Sequence, residues 1–145
     1  MTTIQALSGP NLDLLGIREP EIYGADRLDD HVHAMVQTAH AHRLELVHHQ
    51  TNHEGELVER VHEAIRAESG AIIINPGAFT HYAWSLHDAL AAFPGPVIEV
   101  HLSNPAARDS WRSTSVVAPV ATATISGLGG RGMVMAVDAV AQILA

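Results

Sequence analysis

Two pairs of side chains have the types and spacing that acid–base chemistry needs. Glu99 and His101 stand two residues apart in VIEVHL. A strand's period of two puts both on one face, where the carboxylate would orient the imidazole, favour its charged form and raise its pKa. A histidine held as a cation is a general acid; the plainer reading is an ion pair filling a gap beside a sheet. Arg18 and Tyr23 share a loop bounded by Gly16 and Gly24. A phenol serves as a base near neutral pH only where a cation stabilises the phenolate, and a guanidinium stays charged at any working pH. Such a pair is expected to meet only when the loop folds over a ligand, as a lid does. The alternative is a surface loop whose tyrosine merely packs. His81 and Asp88 fall on one face of a helix expected over residues 80 to 92, with Thr80 as its cap, where ordinary surface polarity is the simpler reading. Arg112, in RDSWRS, is either a clamp for substrate oxygens or a solvated charge.

These groups need a frame, and the hydrophobic pattern supplies one. TIQAL (3–7), LELVHHQ (44–50), AIIIN (71–75), VIEVHL (97–102) and VATATI (120–125) read as strands. Helical patterns cover 28–42, 56–68, 80–92 and 132–144; Thr51 and Glu54 have the spacing of a capping box before the second. The segment SGPNLDLLGIREPEIYG (8–24) reads as neither helix nor strand, and as a loop that forms no core. AIIIN lacks alternation, as parallel strands buried on both faces require. The expected architecture is α/β: a flavodoxin-like, doubly wound, five-stranded parallel sheet with helices on both faces, in a single domain spanning residues 1–145. Ligands in such sheets sit beyond the carboxyl ends of the strands. Those ends read Ser8-Gly9-Pro10-Asn11, Gln50-Thr51-Asn52, Asn75-Pro76-Gly77 and His101-Leu102-Ser103-Asn104. Uncharged hydrogen-bonding groups with one imidazole suit a small polyhydroxylated molecule.

Composition removes several alternatives. No cysteine is present, so thiolate nucleophiles, disulfides and Cys-ligated metals are excluded. The basic residues are all arginines; without lysine, Schiff-base chemistry, pyridoxal phosphate attachment and a P-loop are impossible on this chain. A net charge of −8 opposes nucleic-acid binding. No apolar run approaches a membrane span, and MTTIQALSG lacks the features of a signal peptide, so a cytoplasmic location is expected. Gly127-Leu-Gly129-Gly130-Arg-Gly132 fits a dinucleotide fingerprint but leaves no room for a following strand and ribose-binding acid, so its glycines are read as a tight turn. His31-x-His33, His40-x-His42 and His48-His49 lack the spacing of metal ligands on one face.

SGPNLDLLGIREPEIYG, QTNHEGEL, INPGAFTH and VIEVHLSN, in this order and at these separations, resemble the type II 3-dehydroquinate dehydratases. The likeness covers nearly the whole chain. It implies dehydration of 3-dehydroquinate to 3-dehydroshikimate with no metal and no cofactor. It also implies site roles: Tyr23 as the base at C2, Arg18 keeping that phenol ionised, Asn11 supporting the enolate through an ordered water, and His101, held by Glu99, protonating the leaving hydroxyl. Asn75, His81, Arg112 and the backbone amides of Leu102 and Ser103 match the binding set. Asp88 matches a residue that reaches towards a neighbouring subunit, since the family forms trimers that assemble into dodecamers. Ser8 and Asp13 stand where the family pattern has asparagines, and Asp13 is expected to bring negative charge near the site. His87 replaces the commoner arginine beside Asp88. A non-catalytic binding or assembly protein on the same scaffold is the alternative reading.

Overall fold

Every residue of Ala71–Asn75 is buried, and its side chains divide by turns between two cores. Ala71 and Ile73 join one, Ile72 and Ile74 the other, as the two-residue period of a central strand demands. Around it, the computed structural model, which describes all residues 1–145, runs in chain order β1 (Thr2–Ser8), α1 (Pro20–Tyr23), α2 (Leu28–Ala41), β2 (Leu44–Gln50), α3 (Glu54–Arg66), β3 (Ala71–Asn75), α4 (Trp84–Ala92), β4 (Val97–His101), β5 (Ala123–Ser126) and α5 (Arg131–Leu144). The strands form one parallel sheet ordered β2-β1-β3-β4-β5. This is the expected flavodoxin-like topology, with its switch point between β1 and β3. Helices α2 and α5 cover one face through Met35, Ala39, Met133, Ala136 and Val140. Helices α3 and α4 cover the other through Leu57, Val61, Leu86 and Leu90. Along β4, Ile98 and Val100 face α5, which leaves Val97, Glu99 and His101 on the α4 side.

Four local expectations change, each for a physical reason. Residues 8–24 are not uniformly irregular: Leu12–Leu14 forms a 3-10 turn, and Pro20–Tyr23 a single helical turn. The three-residue repeat of the 3-10 turn brings Leu12 and Leu15 to one side, where both are buried in the α2/α5 core. The loop therefore does contribute to a core. Thr51 does not cap α3 with Glu54. Its hydroxyl accepts from the His53 N–H at 3.0 Å and donates to Glu56 at 2.6 Å, and α3 starts at Glu54 behind His53. Thr80 and His81 end a 3-10 turn, Gly77–His81, and α4 begins only at Trp84, because the Thr80 hydroxyl is drawn to Glu99 instead of to a helix end. Strand β5 starts at Ala123, since the N–H groups of Val120 and Ala121 are spent on the Val117 and Ala118 carbonyls in the turn Ala118–Val120.

Candidate active site

The pocket lies beyond the carboxyl ends of β1, β3 and β4, beside the switch point. Its floor exists because two chain segments approach closely. A side-chain carbon added at Gly9 would sit 2.6 Å from the Pro76 carbonyl oxygen, and one at Gly77, whose φ is +56°, would press on Pro10 at 3.2 Å. Asn11 adopts the left-handed conformation, φ 68°, and donates its backbone N–H to Asn52 Oδ1 at 2.9 Å. The end of β2 thus reaches the pocket only through Asn11; residues 50–52 do not line it. Asn75 Oδ1 accepts from the Gly77 N–H at 3.2 Å, which leaves the Asn75 NH2 without a protein partner.

The corner holding Glu99 and His101 is buried. Glu99, 1% exposed, accepts at Oε2 from His101 Nε2 at 2.6 Å and from the Thr80 hydroxyl at 2.5 Å, and the Ser115 hydroxyl lies 3.1–3.2 Å from both carboxylate oxygens. Burial pushes the Glu99 carboxyl up, but the hydrogen bonds from His101 and Thr80, the His101 charge and the Ser115 bond outweigh it, so Glu99 titrates below its usual range. With Nε2 committed to Glu99, His101 has Nδ1 free of protein bonds. The next two residues are prepared in the same way. Gly127 N–H donates to the Ser103 carbonyl at 3.0 Å and Gly129 N–H to that of Leu102 at 3.0 Å, while the N–H groups of Leu102 and Ser103 find no protein acceptor. Gly127 and Gly129 both have positive φ, so this glycine run is the tight turn that pins the end of β4.

The segment carrying Arg18 and Tyr23 stands opposite. The Arg18 guanidinium carbon is 4.8 Å from the centre of the Tyr23 ring, and the Arg108 carbon is 5.2 Å from it. Contrary to the expectation that Arg18 and Tyr23 meet only over a ligand, they touch in the chain as it folds by itself, by cation–π contact. Arg108 also donates to the Ser103 hydroxyl at 3.2 Å, tying this segment to the rim. On the remaining side, His81 Nδ1 donates to the Thr114 carbonyl at 2.6 Å and its ring meets Trp111 edge-on at 5.0 Å. A carbonyl can only accept, so Nδ1 carries the proton and Nε2 is left for a ligand. Arg112 stacks on Trp111 at 4.1 Å, is braced by Asp109 at 3.3 Å and lines the pocket.

Residues 2–141 match the family model described as dehydroquinase class II. The chain belongs to this family. It is 50% identical over 138 residues to the 3-dehydroquinate dehydratase of Bacillus licheniformis, covering 95% of this chain and 94% of that protein. It is 51% identical over 140 residues to the 3-dehydroquinate dehydratase of Hyphomonas neptunium, covering 97% and 93%. Among solved structures it superposes on the type II dehydroquinase of Propionibacterium acnes with a TM-score of 0.94 at 38% identity, over 98% and 97% of the two chains.

Of the site residues expected of a class II dehydroquinase, Asn11, Arg18, Tyr23, Asn75, His81, His101, Leu102, Ser103 and Arg112 line the one pocket, and Glu99 stands directly behind His101. Asp88 does not line it; it is exposed on α4. Asp13 is likewise exposed and absent from the lining, because the 3-10 turn that buries Leu12 and Leu15 turns the residue between them outward. Its charge thus lies at the surface and not on the pocket wall. Ser8 is buried and bonded to His48 Nε2 at 2.9 Å, outside the pocket. Arg108 was not anticipated, although it lies in the same RDSWRS run as Arg112; only the fold of that run brings its guanidinium to Tyr23.

Proposed function

We propose that the chain is a single catalytic domain, residues 1–145, that dehydrates 3-dehydroquinate to 3-dehydroshikimate by anti elimination through an enolate, without a metal or a cofactor. The Tyr23 phenolate takes the proton from C2, and the C–H electrons move onto the carbonyl oxygen, where Asn11 and an ordered water meet the charge. The enolate then collapses, the double bond forms between C1 and C2, and His101 protonates the departing C1 hydroxyl, which leaves as water. Glu99 keeps His101 oriented and favours its cation. Arg18 and Arg108 flank the ring that must carry a negative charge. Asn75, His81, Arg112 and the amides of Leu102 and Ser103 bind the substrate's carboxylate and hydroxyls. Trimers assembling into a dodecamer, with Asp88 reaching towards a neighbouring site, complete the reading, as does a cytoplasmic location.

The observation that carries it is the Tyr23 ring with two guanidinium groups within 5.2 Å of its centre, in the pocket that also contains the Glu99-backed imidazole. The test is enone absorbance appearing from 3-dehydroquinate. The wild type turns over, and Tyr23→Phe loses roughly 10²- to 10⁴-fold in kcat, the usual contribution of a positioned base. Tight calorimetric binding by the wild type with no turnover would select a non-catalytic binding protein instead.

A further inference from the structure

Glu99 has two oxygens and three side-chain donors around them, and only one of the donors belongs to the pocket. The other two are hydroxyls, each with one proton to give. The Ser115 oxygen accepts from the backbone N–H groups of Val117 at 3.2 Å and Ala118 at 2.9 Å, so its own proton points back towards Glu99 and Thr80, whose hydroxyl oxygen is 2.7 Å away. Thr80, 1% exposed, gives its proton to Glu99 Oε2, the same atom that receives His101. The bonds therefore run one way, from a backbone turn through two hydroxyls into the carboxylate. Chains of this polarity strengthen each link.

We propose that Thr80 and Ser115 are positioning residues that set the acidity of His101 by sharing the negative charge of Glu99. This inference rests on the reading of His101 as the acid. A carboxylate already taking the Thr80 proton, from a hydroxyl polarised in turn by Ser115, leaves less charge for the imidazolium, so removing that bond tightens the hold of Glu99 on His101. The backbone around these two residues carries a second duty. Thr80 precedes His81, and its carbonyl accepts from the Val116 N–H at 2.6 Å, while Thr114, next to Ser115, holds His81. One network thereby fixes the acid and a binding group in a single frame.

The other charged or titratable groups that face the pocket with His101 are Arg18, Tyr23, His81, Arg108 and Arg112. All are retained in the variants below, so a difference from wild type isolates the hydroxyls. Thr80→Val keeps shape and removes the proton. It is expected to raise the titration midpoint of His101, read by imidazole nitrogen NMR on the intact chain, and the alkaline limb of kcat, each by at least ~0.5 pH unit. Thr80→Ser restores the hydroxyl and both wild-type values. Ser115→Ala moves the limb in the same direction, with a lower melting temperature because its turn loses an acceptor. A structural role alone would lower kcat and the melting temperature with the midpoint in place. A midpoint that stays fixed or falls in Thr80→Val, or one that Thr80→Ser fails to restore, overturns the proposal. Turnover that survives His101→Gln would overturn the acid role instead, because the titration reads the network without catalysis.

Discussion

The two halves of the site are built by opposite means. His101 ends a central strand, backed by a carboxylate that is 1% exposed and reached by three donors within 3.2 Å. Tyr23 ends a four-residue helical turn with no fully buried residue of its own; its half-buried ring leans on the edge of the α2/α5 core and carries two guanidinium groups over it. His101 is embedded in the sheet, whereas Tyr23 sits on a short turn at its edge. Electrostatics follow the same division. A buried carboxylate acts at close range in a low dielectric, whereas half-exposed guanidinium groups act through a more screened path.

The division is broken most severely at Glu99. Glu99→Gln removes the charge behind His101 and is expected to cost roughly 10²-fold or more in kcat, together with about 3 kcal/mol of stability from disrupting a buried pair. Urea unfolding and steady-state rates report both. Tyr23→Phe, by contrast, is expected to lose activity with an unchanged melting temperature. If Glu99→Gln unfolds at the wild-type urea concentration, the coupling of acid to core is wrong. Arg108→Ala comes next: kcat falls roughly 2- to 30-fold, the equivalent of about 0.5–2 kcal/mol of cation–π contact, again without loss of stability. An equal effect of Arg108→Ala on KM alone would make Arg108 a binding group only.

A separate effect, on stability alone, concerns a second strand histidine. His48, on β2, bonds to the Ser8 hydroxyl, and burial first, then the charge of His49, lower its pKa to about 4, against a raising influence from Asp29. Its folded value lies below its ordinary one, so the unfolded chain holds the proton more tightly. The stabilisation is fully present only well above the ordinary value of 6.5 and is lost as pH falls through that value towards about 4, to the extent of about 3 kcal/mol. His48→Gln, which can still accept from Ser8, is expected to show a flatter loss over that window in urea titrations. Wild type and variant falling in parallel would contradict it.

The sheet was legible in the sequence because buried parallel strands leave uninterrupted apolar runs, and β2 and β3 have the bounds their residues imply. The strand ends were legible too, since α/β topology sends ligands there. What stayed hidden depended on contacts between distant segments. The Thr80 hydroxyl looks like a helix cap until Glu99 is placed beside it, and the turn Ala118–Val120 takes the amides of Val120 and Ala121 from β5 in a way only the fold reveals. Arg108 has nothing in its neighbourhood in sequence to distinguish it from a solvated arginine; its role follows from the turn that lays it over Tyr23. Asp13 misled because residue type was visible and direction was not.

The central claim is that base and acid act from opposite sides of the substrate, one from the short turn and one from the sheet. The most direct measurement uses 3-dehydroquinate carrying deuterium stereospecifically at C2 and follows which label reaches water. The account predicts loss of the hydrogen trans to the departing hydroxyl, with a primary isotope effect when that position is labelled. Loss of the cis hydrogen would put base and acid on the same side and contradict it.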